Sequence, residues 1–274
     1  MLQHSIDRFR MDNRVVIITG GAGFLGIQHA EAILEAGGTP VIFDRTVADL
    51  ERSISQIQQF GASELMTVVC DITDEESISG AMSKVKSRFG RIDAVVNNAA
   101  YQGRPVFGER YFAPVDDYPT NAWRLALDTT LTGTFLVTKH ALRYMIEQAD
   151  GVFVNVASDV GVISPDPRIY EGLPKEQYFN TPPSYAAAKA AIISFTRYIA
   201  THYALKNIRA NSISPAGMFN DQPPEFVNKL TQLIPLGRMA KKGEYKSCLV
   251  FLLSDASSFI TGANLIVDGG RTAW

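Results

Sequence analysis

Short apolar runs rich in β-branched residues alternate along this chain with longer segments whose apolar positions recur every three or four residues. RVVIIT (14–19), TPVIFD (39–44) and ELMTVVCD (64–71) are the first three runs. RIDAVVNNAA (91–100), GVFVNVAS (151–158) and NLIVDGG (264–270) continue the series, and the more polar NIRANSIS (207–214) also reads as a strand. Runs that are apolar throughout, rather than alternating, predict strands buried on both faces. The segments between them predict helices. FLGIQHAEAILEAGG (24–38) stops at a glycine pair, and VADLERSISQIQQFG (47–61) stops at a glycine. DEESISGAMSKVKSRFG (74–90) carries acids in its first turn and bases in its last, as the helix dipole prefers. Residues 121–149, 184–206 and 241–255 predict three further helices, the first two long. Residues 101–119, rich in Gly, Pro and aromatics, predict a loop. Strand and helix alternate almost without exception. That pattern predicts an α/β fold: a single doubly wound domain over 1–274, with about seven parallel strands and helices on both faces. No linker, charge block or repeat divides the chain.

Composition narrows the classes. The chain has 274 residues, 46% of them hydrophobic, and a net charge of −2. That length allows a sizeable core, and the absence of a basic excess argues against nucleic-acid and anionic-membrane partners. Cys70 and Cys248 form no CxxC pair and read as buried apolar residues in a reducing compartment. The N-terminal stretch MLQHSIDRFRMDNR has charges where a signal peptide needs an apolar core, so a cytoplasmic protein is expected. His4, His29, His140 and His202 show no metal-ligand spacing, and no metal is expected. Phe135, Tyr144, Phe195 and Tyr198 lie at helical spacings and predict core or subunit contacts.

The first candidate chemistry lies at TGGAGFLG (19–26), between the first strand and the first helix. Gly21, Gly23 and Gly26 fit G-x-G-x-x-G in the context a dinucleotide needs. Glycines permit the tight turn and the approach of a pyrophosphate, and the helix N-terminus offers unpaired N–H groups. Asp44 ends the second strand, 18 residues beyond Gly26, where a carboxylate accepts the ribose hydroxyls and repels a 2′-phosphate. NAD is therefore expected over NADP, although the neighbouring Arg45 is suited to a phosphate. Asp71 ends the third strand, as an adenine contact or as the cap of the next helix; Thr73 and Asp74 are alternative caps. The second candidate is SYAAAK (184–189), in which Tyr185 and Lys189 stand four apart on a predicted helix and share one face.

The glycine turn, NNAA (97–100), Ser158 at the end of the fifth run and Tyr185-x-x-x-Lys189, in this order, resemble the classical short-chain dehydrogenase/reductase family. The likeness runs from about residue 12 to 270 and includes NSISP (211–215) and FITGANLIVDGG (259–270). The resemblance implies a Rossmann domain and an oxidoreductase that interconverts a secondary alcohol and a ketone. It implies Tyr185 as the proton-exchanging group, Lys189 as a nicotinamide-ribose ligand that lowers the phenol pKa, and Ser158 as the group holding the reacting oxygen. Gly20, Gly23, Phe24, Leu25, Gly26, Asp44, Asp71, Ile72, Asn98, Ala99, Tyr185, Lys189, Pro215 and Met218 are the implied cofactor contacts. A small hydroxyl or keto substrate and a homo-tetramer built on the two long helices and the C-terminal region are also implied.

Four features depart from the family pattern. The glycine motif has Phe24 at the middle glycine of T-G-x-x-x-G-x-G, so it reads like the extended subfamily's version. Thr130 stands where the family places an asparagine of the proton relay, and Ala216 replaces a glycine in the loop over the nicotinamide. Finally, Ser158 and Tyr185 are 27 positions apart, longer than usual, with an insertion over 159–183. Its core, ISPDPRIYEGLPKEQYFNTPP (163–183), holds Arg168 and Lys175; it is either a substrate-side element, with Arg168 suited to an anionic group, or a surface or subunit contact. The insertion and MFNDQPPEF (218–226) resemble members found in bacterial surface-sugar and nonulosonate pathways, which implies a sugar-derived substrate. Two other functions fit the same motifs: a nucleotide-binding regulatory protein with weak turnover, and a sugar-nucleotide epimerase or dehydratase.

Overall fold

A computed structural model of the chain describes residues 4–60, 65–173 and 179–274. Its seven strands form one sheet: β1 (Val15–Thr19), β2 (Thr39–Asp44), β3 (Met66–Val69), β4 (Ala94–Asn97), β5 (Gly151–Val156), β6 (Ile208–Pro215) and β7 (Asn264–Val267). Their spatial order is β3-β2-β1-β4-β5-β6-β7, and every neighbouring pair is parallel. The order reverses between β1 and β4. In open parallel sheets, the crevice beyond the strand ends at such a reversal is where ligands bind.

Parallel strands need crossovers, and helices supply them. The helices are α1 (Phe24–Glu35), α2 (Val47–Gln58), α3 (Glu75–Phe89), the single turn α4 (Arg104–Phe107), α5 (Thr120–Leu127), α6 (Gly133–Gln148), α7 (Pro183–Tyr203), α8 (Pro224–Gln232) and α9 (Lys246–Leu253). One apolar cluster, containing Ile17, Phe43, Val95 and Phe153, joins one sheet face to α3, α6 and α7. A second, containing Val16, Ile18, Ile42, Val154 and Leu249, joins the other face to α1, α2 and α9. The alternation of Val15 and Ile17 with Val16 and Ile18 between the two clusters explains why the first four positions of this strand are all apolar. No described helix is long and apolar enough to cross a membrane.

Three departures from the predicted elements have local causes. The long helix expected over 121–149 is interrupted by a five-residue π-helix, Asp128–Thr132. The Thr134 hydroxyl donates back to the Thr130 carbonyl at 2.8 Å, and Gly133 packs so closely on Ile72 that a Cβ would lie 2.7 Å from it. Such bulges often mark functional positions. The helix expected over 241–255 starts only at Lys246, because Gly243 takes φ +91° and makes a turn first. The stretch after β6 holds the unexpected helix α8, started by a proline at its first turn and buried through Phe226 and Leu230.

Candidate active site

The glycine turn leaves β1 at the reversal point. Gly20 has φ +59°, and a Cβ there would lie 2.9 Å from the Ala99 Cα. A Cβ at Gly26 would lie 2.5 Å from both the Gly20 carbonyl oxygen and the Gly21 Cα. Only glycine lets α1 pass this close to the turn. Gly23 is the N-cap of α1 and supplies no side-chain acceptor. The first N–H groups of the helix, at Phe24, Leu25 and Gly26, therefore face outward without a capping side chain, as an anion site needs.

Side chains around the turn hold it in place. Asp44 accepts the Ala22 N–H at 3.0 Å and the Arg45 N–H at 2.8 Å. Its carboxylate is thus tied to the turn, while Arg45 is exposed. Asn98 donates its side-chain N–H groups to the Thr19 and Gly20 carbonyls, each at 3.0 Å. Its amide side chain braces the turn, and Ala99 packs against Gly20. Asp71 accepts from the Thr73 N–H at 2.9 Å and hydroxyl at 2.7 Å. The cap of α3 is Asp74, which accepts from the Glu76 and Ser77 N–H groups. Asp71 is therefore not spent on that helix. Ile72 is buried beneath Gly133.

The loop after β6 closes the opposite side. Pro215 ends the strand and is buried, as is Met218, whose sulfur lies 3.4 Å from the Gln28 side-chain nitrogen of α1. Ala216 donates its N–H to Val267 at 3.1 Å and accepts the Tyr245 hydroxyl at 2.8 Å. The alanine is accommodated without losing the loop's anchors. Together these residues form a cradle at the strand ends that fits a dinucleotide: open helix N–H groups, glycines where a side chain would collide, and a fixed carboxylate.

Ser158, Tyr185 and Lys189 meet beside this cradle. Pro182 and Pro183 start α7, and the Ser184 hydroxyl pairs with the Tyr118 hydroxyl at 2.9 Å, which fixes the helix start. The segment after β5 crosses α7 so closely that a Cβ on Gly161 would lie 2.8 Å from the Lys189 carbonyl carbon. This glycine lets Ser158 reach the face that carries Tyr185. The Lys189 ammonium donates to the Val156 carbonyl at 2.5 Å and lies 5.5 Å from the centre of the Tyr185 ring. Four-residue spacing on α7 thus puts both groups on one face, as the sequence predicts.

The electrostatics differ from expectation in one respect. Burial pushes the Tyr185 phenol up to about 12, against a lowering contribution from Ser158. Burial also lowers Lys189 to about 8, because its ammonium is removed from water. The chain alone does not bring the phenol below its ordinary value: desolvation outweighs the lowering by Ser158, and the downward pull expected of Lys189 is not among the causes of the shift.

Thr130 is buried in the π-helix, and its hydroxyl accepts the Tyr101 N–H at 3.1 Å. It holds the segment after β4 against α5 and α6. In the insertion, Arg168 pairs with Asp166 at 2.6 Å and is 76% exposed, so it does not point into the site. Lys175 lies outside the described residues. Ile169 and Tyr170 pack on Phe226, Leu230 and Ile234. Lys229 donates to the Arg168 carbonyl at 3.1 Å and the Glu171 carbonyl at 2.7 Å. The insertion and α8 therefore form one wall next to the catalytic face. A second buried cation, Arg271, pairs with Asp159, the residue after Ser158. Sequence reasoning missed both, since nothing local links positions 112 apart. It also missed Asn97, which donates to Asn155 at 2.8 Å, while Asn155 donates to Thr196 at 2.9 Å, linking β4 and β5 to α7. The described residues contain no cluster of His, Cys, Asp and Glu able to hold a metal.

Comparison with known proteins gives the family of the chain. A family model described as Enoyl-(Acyl carrier protein) reductase matches residues 22–272. The chain is 33% identical to the cis-4-hydroxycyclohexanecarboxylate dehydrogenase of Sinomonas cyclohexanicum, over 95% of this chain and 97% of that one. It is 30% identical to the NAD-dependent glycerol dehydrogenase of Listeria innocua serovar 6a, over 96% of each. Among solved structures it resembles a gluconate 5-dehydrogenase from Burkholderia cenocepacia J2315 in complex with NADP and tartrate. That likeness has a TM-score of 0.83 at 28% identity, over 99% of this chain and 100% of that one. The range matched by the family model takes in the serine after β5 and the tyrosine–lysine face of α7, and the chain belongs to the short-chain dehydrogenase/reductase family.

Proposed function

We propose that the protein is an NAD-dependent oxidoreductase that interconverts a small secondary alcohol and its ketone. The observation that carries this reading is the meeting of Ser158, Tyr185 and Lys189 beside a cradle with the features of a dinucleotide site. Gly20, Gly23, Phe24, Leu25 and Gly26 would hold the pyrophosphate through backbone N–H groups, and Asp44 the adenosine ribose. Asp71, Ile72, Asn98 and Ala99 would line the adenine and ribose side, and Pro215 and Met218 the nicotinamide side. The bound nicotinamide supplies the hydride acceptor or donor.

The chain's own residues handle the proton and the geometry. Tyr185 takes the proton from the alcohol oxygen in one direction and returns it to the ketone oxygen in the other. Ser158 holds that oxygen within reach of the phenol. Lys189, protonated at neutral pH and fixed by the Val156 carbonyl, favours the phenolate over the distance of one helical turn. Burial works against the phenolate, so the site reaches its basic form only with further positive charge nearby.

Asp44 supports NAD over NADP, and the name of the Listeria relative agrees; the Burkholderia structure, named with NADP, shows that related folds take either nucleotide. A polyhydroxylated substrate is supported by the glycerol and gluconate dehydrogenases among the similar proteins. Replacing Tyr185 by Phe tests the reading. Turnover of the alcohol should fall by about 10²–10⁴, while NADH binding, followed by fluorescence, stays near wild type. Equal turnover in Tyr185→Phe would remove the phenol from the mechanism.

A further inference from the structure

Asp159 follows the catalytic serine and makes three polar contacts away from water. Its Oδ1 accepts the Ser158 hydroxyl at 2.9 Å and the Val160 N–H at 2.8 Å. Its Oδ2 accepts the Arg271 guanidinium at 2.5 Å. The two charged side chains are 4% and 6% exposed. Arg271 comes from the segment after β7. Asp268 anchors that segment by accepting the Gly270 N–H at 2.9 Å and the Thr272 N–H at 2.7 Å. The Arg271 Nε is buried without a partner among the described residues, so the guanidinium's resolved link to the site is its ion pair with Asp159.

A lone carboxylate in this place would act against the reaction. It would hold the serine proton and oppose negative charge on the neighbouring phenol, and its field would be weakly screened away from water. A guanidinium on the far oxygen offsets that field and fixes the carboxylate's orientation. Arginine suits the role because it stays charged when buried. We propose that Asp159 and Arg271 are positioning residues for the reaction: the C-terminal segment supplies the cation that holds and neutralises the carboxylate orienting Ser158. The proposal rests on the reading that Ser158 and Tyr185 carry the chemistry.

The groups facing Tyr185 define what the pair changes. Lys189 faces it from α7, Ser158 and Asp159 from the segment after β5, and Tyr170 from the insertion. Tyr111 faces it from the segment after β4, and Arg271 lies behind Asp159. Asp159→Asn leaves an unopposed cation and favours the phenolate most. The double variant Asp159→Asn/Arg271→Met removes both charges and favours it less. Arg271→Lys keeps the pair.

The experiment is an alkaline titration of the full chain labelled with ¹³Cζ-tyrosine, with the Tyr185 signal assigned through Tyr185→Phe. The expected order of midpoints is wild type and Arg271→Lys highest, the double variant lower, and Asp159→Asn lowest. The fall from wild type to Asp159→Asn should be about one pH unit or more. If Asp159→Asn does not fold, the neutral double variant carries the test, with a midpoint below wild type. Midpoints that coincide in all the proteins, or that follow only their melting temperatures, would overturn the proposal. The titration needs no turnover. If no alcohol in a broad panel is oxidised while the midpoints keep their order, the coupling of Asp159 and Arg271 to the phenol stands and the dehydrogenase reading, with the pair's part in its reaction, falls.

Discussion

Lys189 shows what the site asks of single residues. Its ammonium is lowered to about 8 from an ordinary 10.5 because it is buried. The folded pKa is below the unfolded one, so the unfolded chain binds the extra proton between these values. The stability penalty from this group is full below about pH 8 and disappears as the pH rises to about 10.5. Lys189→Met should therefore raise the urea midpoint near pH 7, by ~1–3 kcal/mol of stability, and the gain should vanish by about pH 10.5. Turnover should be lost in the same variant. A loss of stability that does not change with pH would show that the ammonium is not held against a desolvation penalty. At this scale the sequence was most legible where chemistry is local. Tyr185 and Lys189 share a face because they are four apart, and Gly20 and Gly26 stand where a tight turn must be. Asp159 and Arg271 were not legible. Their pairing depends on how the segment after β7 folds back, and neither residue carries a local mark of it.

Helices and strands were legible wherever burial on two faces or one stripe leaves a period. All seven strands lie at the predicted stretches; most have ends trimmed by a few residues, as at Met66–Val69 within 64–71, while β6 runs past 214 to Pro215. The π-helix at Asp128–Thr132 was hidden because it changes hydrogen bonding without changing the apolar stripe. Helix α8 was hidden because its prolines mask the spacing of Phe226, Leu230 and Ile234. The expected subunit contact belongs to this scale. Phe135, Ile146 and Tyr198 expose apolar surface along α6 and α7, 47%, 39% and 55% exposed respectively, around a shallow apolar groove. Such a face fits association with further copies of the chain. Sedimentation should find a homo-tetramer, and Tyr198→Arg should shift it to smaller species. Wild type sedimenting as a monomer at all concentrations would contradict this.

The whole molecule is a device for bringing distant segments to the ends of its strands. β1 supplies the glycine turn, β2 the carboxylate, β4 the brace at Asn98, β5 the serine, and α7 the phenol and ammonium. The loop after β6 and the segment after β7 close the site. The order of strands makes this possible, because it reverses beside the turn. The proposed preference for NAD rests on one feature of that arrangement: the Asp44 carboxylate is held at the turn by the Ala22 N–H, where its charge would oppose a 2′-phosphate. The most direct test is fluorescence titration of the purified protein with NADH and NADPH. Opposing a fixed carboxylate with a phosphate costs several kcal/mol, so NADH should bind about 100-fold tighter than NADPH. Tighter binding of NADPH would mean that Arg45 reads the phosphate and that Asp44 does not hold the ribose; binding of neither would contradict the cradle itself.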